Sequence, residues 1–426
     1  GSEMCIRDSF PPSGPSRSHG FVEPVAAHLR LTPHHKYRKK KSKTNRSAEK
    51  IDVFYLLLSS ARGRADPCRH YPPGRRTPAA AHVCFMEYLY GKDMTELRRL
   101  CEELSLPRFA AGQIARWLYR RHTTDAAAMT DLPAAARVRL AERCDTGLSA
   151  PVGVSTSSDG TKKYLFRTVQ GHFIESAYIP DGDRATLCVS SQAGCRMGCR
   201  FCATGRQGLQ HSLTAAEILN QIESLPERDR LTNIVFMGMG EPLDNPDAVL
   251  RAIEVLTAEW GFGWSPTRIT LSTAGVTPQL RRLLDTTRVH LAVSLHNPFA
   301  EERAAIMPIE RAYPIRELVD VLRDYDFTGQ RRVSFEYILM QGLNDSPRHL
   351  RELCRLLNGL RCRINLIRFH RIPDSPYFSP DRAAMERFRD TLTARGITTT
   401  IRASRGEDIQ AACGLLSTRG LEGEKR

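Results

Sequence analysis

The sequence lacks an apolar run long enough to cross a membrane. Its longest apolar stretch near the start, residues 53–58, has six residues, whereas a membrane-spanning helix needs about 20. That stretch also lies too deep in the chain for an ordinary signal peptide. The 12 cysteines among 426 residues are too sparse and irregularly spaced for the disulfide framework of a secreted protein. We therefore expect a cytoplasmic protein without a membrane anchor.

Acidic residues are scarce relative to basic ones. The chain has 62 Lys and Arg against 47 Asp and Glu, a formal net charge of +15. Residues 1–85 hold 16 of the basic and 6 of the acidic residues, so the rest of the chain carries only +5. A positive balance favours a polyanionic partner such as RNA. The folded part is mildly basic, so its non-specific electrostatic attraction for such a partner is modest.

Residues 1–85 show no sustained period of 2 or 3.6 residues and are rich in Pro, Ser, Arg and His. This composition predicts a basic leader without a packed core. Three interpretations are open: an RNA-binding arm, a solvated tail, or non-native sequence upstream of a start at Met86. A natural peptide from before Met86, detected by mass spectrometry, would exclude the third.

Residues 86–150 have helical periodicity. Thr95 can cap a run whose apolar positions include Leu97 and Leu104, and a second amphipathic segment begins at residue 110. We predict a small helical accessory domain here.

Residues 151–180 change to alternating, strand-like segments. Asp159-Gly160 lies between two of them, and Asp-Gly is a strong hairpin signal. We predict a β-hairpin extension.

Residues 181–406 alternate short β-branched runs with helical patterns, which predicts an α/β fold with a parallel sheet. The predicted strands cover residues 185–190, 233–237, 268–272, 290–295, 332–339 and 363–369. The predicted helices begin near residues 214, 247, 277, 314 and 346, and a further helix and strand follow at 382–395 and 398–402. Thr214 and Glu217 fit a capping box. Six consecutive units predict a partial (βα)6 barrel, whose site lies at the carboxyl ends of the strands.

Cys195, Cys199 and Cys202 form a CxxxCxxC pattern directly after the first barrel strand. Structural zinc usually takes four ligands in paired CxxC spacing, and no fourth Cys or His lies within the usual short reach in sequence. An ordinary [4Fe-4S] cluster also takes four cysteines, so three would leave one iron open for a small ligand. Zinc or unligated thiols are the alternatives.

This pattern, with an aromatic residue before the last cysteine of an early βα loop, resembles the radical S-adenosylmethionine (radical SAM) superfamily. The resemblance implies a [4Fe-4S] cluster whose open iron binds the amino and carboxylate groups of SAM and splits it to a 5′-deoxyadenosyl radical. Elements at later strand ends are consistent with it, although each alone would be ordinary turn chemistry. The SAM contacts that it implies are Gly240, Glu241, Ser272, Ser294, Leu295 and His296.

Two further cysteines, Cys188 and Cys413, lie in segments that closely resemble the RlmN/Cfr family of radical SAM adenine methyltransferases. The match covers about residues 90–416 and includes Tyr178-Ile179-Pro180 and Ile364-Asn365-Leu366-Ile367. It implies methylation of carbon 2 of adenine 2503 in 23S rRNA and of adenine 37 in tRNAs. It also implies an RNA-binding N-terminal domain, a monomer, and an electron donor such as flavodoxin.

The resemblance also implies a role for each remaining residue. Cys413, in the C-terminal segment 407–426, takes a methyl group from one SAM, and a second SAM yields the radical that removes hydrogen from it. The carbon then adds to adenine, Glu175 accepts the proton of the modified carbon, and Cys188 resolves the adduct through a transient disulfide with Cys413. The family has Asn where this chain has His370, which we retain as a predicted SAM contact because a ring nitrogen can donate.

Two other functions remain open from the sequence. The Cfr branch of the family methylates carbon 8 of the same rRNA adenine with the same residues. In a non-catalytic RNA-binding protein, Cys195, Cys199 and Cys202 would bind a structural zinc ion, and the other cysteines would simply be buried. Nucleoside mass spectrometry distinguishes carbon 8 methylation from carbon 2 methylation. Iron content distinguishes the zinc protein from a radical SAM enzyme.

Overall fold

The computed structural model describes residues 86–329 and 331–418. The predicted basic leader, residues 1–85, and the last residues of the predicted C-terminal segment lie outside this part. No helix in the described part is both long and apolar enough to span a membrane.

A small helical module precedes the central sheet. It consists of β1 (Glu87–Tyr88), α1 (Met94–Glu103), α2 (Ala110–Tyr119), α3 (Ala134–Arg143) and β2 (Cys144–Asp145), with β1 and β2 paired in parallel. The predicted cap of α1 is wrong. Asp93, not Thr95, caps it, because Asp93 Oδ1 accepts from the Glu96 amide at 2.7 Å and Glu96 Oε2 accepts from the Asp93 amide at 3.0 Å.

This module packs against the helical layer of the larger fold. Arg251 pairs with Asp93 at 2.7 Å and also with Glu96. The ring of Tyr119 meets Trp260 edge-on, with 5.9 Å between centroids. The charge pairs and aromatic contacts join the module to the barrel.

Three antiparallel strands form one side of the central sheet: β3 (Gly153–Thr156), β4 (Lys162–Arg167) and β5 (Phe173–Asp181). The predicted Asp159-Gly160 turn connects β3 to β4, and Gly160 has φ +83°. The hairpin prediction is confirmed. The structure shows in addition that β5 joins it directly to the barrel strands.

Seven parallel strands continue the same sheet. β6 (Arg184–Cys188) pairs antiparallel with β5, and a separate antiparallel pair follows it, β7 (Gln192–Cys195) and β8 (Gly208–Ser212). The remaining strands are β9 (Asn233–Phe236), β10 (Ile269–Thr273), β11 (His290–Ser294), β12 (Val333–Leu339), β13 (Arg363–Arg368) and β14 (Thr398–Ile401). The ten strands lie in chain order from β3 to β14, so the sheet is open and the barrel is partial.

Helices cover the parallel strands. They are α4 (Ala203–Gln207), α5 (Ala215–Glu223), α6 (Pro246–Thr257), α7 (Thr277–Thr286), α8 (Ala300–Ile306), α9 (Ile315–Arg323), α10 (Pro347–Leu357) and α11 (Arg382–Ala394). All seven residues of β12 are buried, as expected for a parallel strand covered on both faces. The predicted strands, the α/β fold and the Thr214–Glu217 capping box are confirmed. The short α4 and α8 and the β7–β8 pair were not predicted, because their local patterns are too short to show a period.

Candidate active site

The three cysteines of the CxxxCxxC pattern lie in the loop between β7 and α4. Cys195 ends β7 and Cys202 is the N-cap residue of α4. The Cys202 amide donates to the Cys199 carbonyl at 3.2 Å, and the Arg200 amide donates to the Ile306 carbonyl at 2.9 Å. These bonds fix the loop to itself and to the end of α8.

The three thiols share a buried environment. Burial raises the pKa of Cys195 to about 12 and raises the pKa of Cys199 and Cys202. Proximity to the other loop cysteines adds to the pKa shift of Cys195 and Cys199, and proximity to Cys413 adds to that of Cys202. A bound cationic centre reverses this preference, since a coordinated thiol is deprotonated. The loop is therefore suited to hold a positively charged centre.

A cavity with about 830 Å³ of empty space lies beside these thiols. Five of the six residues that the resemblance implies as SAM contacts at strand ends line it: Gly240, Glu241, Ser272, Ser294 and His296. The sixth, Leu295, has its side chain buried in the main apolar core. Any contact from Leu295 would therefore come from its backbone.

Gly240 allows the turn after β9 to approach the cysteine loop. Its φ is +100°, and a Cβ there would lie 2.6 Å from Gln192 Cβ and 2.7 Å from the Gln192 amide nitrogen. Only glycine avoids both the strained conformation and the clash. The Gln192 side chain in turn accepts from the Glu241 amide at 2.9 Å.

The Glu241 carboxylate is buried and held by protein donors. It accepts from Thr273 Oγ1 at 2.7 Å and from the Ala274 amide at 2.8 Å. Burial raises the pKa of Glu241 to about 7, although these hydrogen bonds oppose the shift. Its predicted role is to accept from the SAM ammonium. The structure adds a second task, which is to fix the turn after β10.

His296 presents a neutral imidazole to the cavity. It has φ +53°, and its Nδ1 accepts from the Ile338 amide at 3.0 Å. Burial, with the nearby Arg303 as the second cause, lowers the pKa of His296 to about 3. Because Nδ1 accepts, the proton of the neutral ring lies on Nε2. The ring of Phe201, from the cysteine loop, packs edge-on against it at 4.7 Å.

Arg303 holds two strand-end loops together and was missed by the sequence analysis. Its fully buried guanidinium donates to the carbonyls of Ala274 and Ser294 at 2.9 Å and of Leu295 at 3.0 Å, and pairs with Glu310. Its helix also contains Glu301 and Glu302, so local sequence suggests an exposed charge.

A second cavity, with about 1520 Å³ of empty space, adjoins the first. Cys188, at the end of β6, lines the second cavity only, whereas Cys413 and Arg402 line both. Cys413 therefore lies at the junction of the two cavities, beside the cysteine loop on one side and Cys188 on the other.

Cys188 and Cys413 are 225 residues apart in sequence and are free thiols in the structure. Burial raises the pKa of Cys188 to about 12, with the proximity of Cys413 as the second cause, while Arg402 acts in the opposite direction. The fold thus places Cys413 near enough to Cys188 to affect the pKa of the Cys188 thiol.

Two distant parts of the chain hold the segment that carries Cys413. The Gly414 carbonyl accepts from the Ala203 amide at 2.8 Å, next to the last cysteine of the loop. The hairpin turn provides the other anchor, because Asp159 Oδ2 accepts from the Gly406 amide at 3.0 Å. The hairpin was predicted only as an extension, so its hydrogen bond to Gly406 was not expected from the sequence.

Glu175 lies on β5 and lines neither cavity. Its Oε1 lies 2.8 Å from Lys163 Nζ, with both side chains largely buried, and its Oε2 accepts from the Ser417 amide at 2.9 Å. The C-terminal segment therefore contacts Glu175 as well as placing Cys413. The role of Glu175 as proton acceptor stays a prediction.

His370 lines the second cavity, not the one that holds the other predicted SAM contacts. Its Nε2 lies 2.8 Å from Ser404 Oγ, and burial lowers its pKa. Its predicted contact with SAM stays a prediction.

Comparison with known proteins identifies the family. The model of the ribosomal RNA large subunit methyltransferase N-terminal domain matches residues 88–145, and that of the radical SAM superfamily matches residues 189–355. A probable dual-specificity RNA methyltransferase RlmN of Bacteroides fragilis is 56% identical over 330 residues, which cover 78% of this chain and 96% of that protein. This chain belongs to the RlmN family.

Other relatives agree with this assignment. The dual-specificity RNA methyltransferase RlmN of Syntrophus aciditrophicus is 43% identical over 337 residues, 78% of this chain and 97% of that protein. The crystal structure of a radical SAM methyltransferase from Sphaerobacter thermophilus is 44% identical, with a TM-score of 0.72, and covers 77% of this chain and 98% of that one. The predicted resemblance to the RlmN/Cfr family and the predicted fold are confirmed.

Membership of the RlmN family brings a [4Fe-4S] cluster and SAM as cofactors, and the residues present fit them. In the described part of the chain, no three Cys, His, Asp or Glu side chains are grouped as the ligands of a single metal ion would be. A cluster instead takes one thiolate on each of several irons. Cys195, Cys199 and Cys202 would hold such a cluster at one wall of the first cavity, with SAM in the space beside them.

Proposed function

We propose that this protein is a radical SAM methyltransferase that methylates carbon 2 of adenine 2503 in 23S rRNA and of adenine 37 in tRNAs by way of Cys413. The observation that carries the proposal is the position of Cys413 at the junction of the two cavities. Five of the predicted SAM contacts, Gly240, Glu241, Ser272, Ser294 and His296, line the cavity on one side of it, and Cys188 lines the cavity on the other. The similarity to relatives that are named dual-specificity RNA methyltransferases supports it.

Cys413 carries the methyl carbon to the RNA. An adenine C–H carbon is not a nucleophile, so it cannot displace a methyl group from a sulfonium, whereas the thiolate of Cys413 can. When bound, the cluster and SAM supply first a methyl group and then a radical that removes a hydrogen atom from it. The methylene carbon on the sulfur of Cys413 then adds to adenine, which links the protein covalently to RNA. The adduct gives up one electron as the proton of the modified carbon leaves.

Glu175 and Cys188 complete the reaction. Glu175 takes the proton of the modified carbon as general base, and Lys163 with the Ser417 amide orients its carboxylate. Cys188 attacks the sulfur of Cys413, which releases the methylated RNA and leaves a disulfide to be reduced before the next turnover. Two SAM molecules are used per turnover.

Anaerobic turnover of RNA with SAM, followed by mass spectrometry of the nucleosides, tests this function. We expect 2-methyladenosine. Cys413→Ala should carry no methyl group and make no product, and Cys188→Ala should accumulate a covalent protein–RNA adduct. Normal turnover by either variant would contradict the roles of the two cysteines. If the product is 8-methyladenosine, the protein is a carbon 8 methyltransferase. If the reconstituted protein contains zinc and no iron, the three cysteines form a structural metal site.

We also propose that the protein acts as a cytoplasmic monomer with an electron donor such as flavodoxin. The nine cysteines of the described part are all free thiols, which agrees with a reducing compartment. Size-exclusion chromatography with light scattering tests the monomer, and cluster reduction by candidate flavodoxins tests the donor.

A further inference from the structure

Arg402 is the first residue after β14 and lines both cavities. None of the roles described above uses it. Of its side-chain surface, 32% is exposed, as expected for a group that faces a cavity. A positive charge at the junction where Cys413 lies needs a chemical explanation.

A ladder of polar side chains fixes the orientation of Arg402. Glu336 on β12, Asn365 on β13 and Thr400 on β14 are direct cross-strand neighbours. Thr400 Oγ1 donates to Asn365 Oδ1 at 2.8 Å, and Asn365 Nδ2 donates to Glu336 Oε1 at 2.7 Å. Arg402 Nη1 then lies 3.3 Å from Glu336 Oε2. Because neighbouring strands hold each member of the ladder, the carboxylate and the guanidinium keep a defined direction.

The same guanidinium lies beside both cysteines of the second cavity. Arg402 Nη1 is 3.3 Å from the sulfur of Met237, which packs in one apolar cluster with Cys188 and Ala411. The pKa of Arg402 is raised mainly by Cys413, and also by Glu336 and Cys188. Arg402 is therefore close enough to stabilise negative charge on either sulfur.

The release step is where such a charge is needed. Attack on a sulfur atom requires a thiolate, and burial raises the pKa of the Cys188 thiol to about 12. Three arginines line this cavity, Arg184, Arg402 and Arg405, and of these Arg402 is the one whose charge acts to lower the pKa of Cys188. Once the sulfur of Cys413 carries carbon it has no negative charge, so Cys188 becomes the cysteine anion next to Arg402.

We infer that Arg402 is a positioning residue that holds the Cys188 sulfur as a thiolate, directed at the sulfur of Cys413, in the step that releases the methylated RNA. The inference rests on the proposed function. In this step a sulfur–sulfur bond forms while the sulfur–carbon bond of the adduct breaks, and the electron pair leaves with the carbon, which takes a proton from water. The two cysteines lose two electrons and the carbon gains two, so the step balances without another reductant.

A single-turnover experiment isolates the release step from the earlier ones. The ratio of covalent adduct to released methyladenosine is measured after one anaerobic turnover, for the wild type, Arg402→Met, Arg402→Lys and Cys188→Ala. Loss of a neighbouring opposite charge shifts a pKa by roughly one to three units, so Arg402→Met should raise this ratio about tenfold or more. Arg402→Lys keeps the charge and should restore most of the release. Arg387→Met, at an exposed position of α11, is the control and should behave as wild type.

A second measurement does not depend on turnover. The reconstituted Cys413→Ala protein without SAM, in which Cys188 is the remaining cysteine beside Arg402, is treated with iodoacetamide with and without Arg402→Met. Alkylation of each cysteine is followed by peptide mass spectrometry. Arg402→Met should slow alkylation of Cys188 about tenfold, because the thiolate is the reactive form. Cys354, on α10, serves as the internal control and should react at the same rate in both proteins. A merely structural defect would speed the alkylation of buried thiols instead.

The outcomes separate the inference from the proposed function. If Cys188→Ala forms no adduct, the proposed function fails. If Cys188→Ala forms the adduct but Arg402→Met keeps the wild-type ratio, or leaves the alkylation rate of Cys188 in Cys413→Ala unchanged, the role of Arg402 is wrong and the proposed function stands. Failure of Arg402→Lys to restore release in a folded protein with full iron content would likewise overturn a role for the charge.

Discussion

The two adjoining cavities are built from the chain in different ways. The first is lined by a loop with three cysteines within eight residues, 195–202, and by short turns after consecutive strands. The second brings β5 and β6 together with the segment around Cys413. The three loop cysteines of the first cavity are neighbours in sequence, whereas Cys188 and Cys413, which line the second, are 225 residues apart.

This difference explains why the first cavity has a recognisable sequence pattern and the second has none. A radical generator needs closely spaced cluster ligands and glycine turns, which leave a compact pattern in the sequence. The methyl carrier and its resolving partner need only to meet in space. Cys188 and Cys413 alone would each be interpreted as a small buried side chain, so their pairing depends on the family resemblance and on the fold.

The largest expected effect comes from replacing one of the predicted cluster-binding cysteines of the first cavity. Cys199→Ser replaces one of the three predicted thiolate ligands by a poor hydroxyl ligand, so iron content should fall and methylation should become undetectable. Iron analysis and the visible absorption spectrum after reconstitution measure this. Cys354→Ala, a cysteine outside both cavities, is the matched control. Full iron content in Cys199→Ser would remove that residue from the cluster site.

A smaller effect is expected from the turn that shapes the space for SAM. Gly240→Ala places a methyl group 2.6 Å from Gln192 Cβ at φ +100°, and strain of this kind costs about 1–3 kcal/mol. The dissociation constant for SAM should rise about tenfold or more, as measured by equilibrium dialysis on the reconstituted protein.

The control for this variant is Gly359→Ala. Gly359 has a similar φ of +77° but open space where a Cβ would be added. Gly359→Ala therefore has the backbone strain of Gly240→Ala but not its clash with Gln192, so the affinity for SAM should not change. Equal losses of SAM affinity in both variants would mean that the close approach of Gly240 is not important.

The smallest expected effect concerns the hairpin anchor of the second cavity. Asp159→Ala removes the acceptor of the Gly406 amide, which loosens the segment that carries Cys413. Methylation of Cys413, followed by intact-protein mass spectrometry, should slow a few-fold, while SAM affinity stays unchanged. Asp390→Ala on the exposed face of α11 is the control. A loss of SAM affinity in Asp159→Ala would show that the two cavities are not separable in this way.

The pH dependence of this anchor follows from its charge. Burial alone would raise the pKa of Asp159, but hydrogen bonds from the Gly406 and Thr161 amides lower it below its usual value. A carboxyl whose pKa is lowered on folding stabilises the folded state fully at pH values above its pKa in the unfolded chain, which is about 3.9. The anchor is therefore complete at neutral pH and is lost only as the pH falls into the acid range.

Much of the fold could be predicted from the sequence because its signals are local. Alternating β-branched and helical patterns predicted the parallel strands, and Thr214 with Glu217 predicted a cap that the structure has. The cap of α1 was misassigned, because Asp93 and Thr95 are both good capping residues and only backbone geometry distinguishes them. The buried Arg303 had no local signal, since its role depends on carbonyls from two separate strand ends.

The sequence by itself determined the elements, the cysteine loop and the glycine turns, because each depends on spacing within a few residues. Only the tertiary structure decided that Cys188 and Cys413 meet, that Glu336 and Asn365 orient Arg402 between the two cavities, and that a hairpin 250 residues away holds the segment around Cys413. The physical reason is that charge stabilisation and sulfur chemistry act over a few ångströms in space. The sheet, which places β5 and β6 on one side and β12 to β14 on the other, sets those distances.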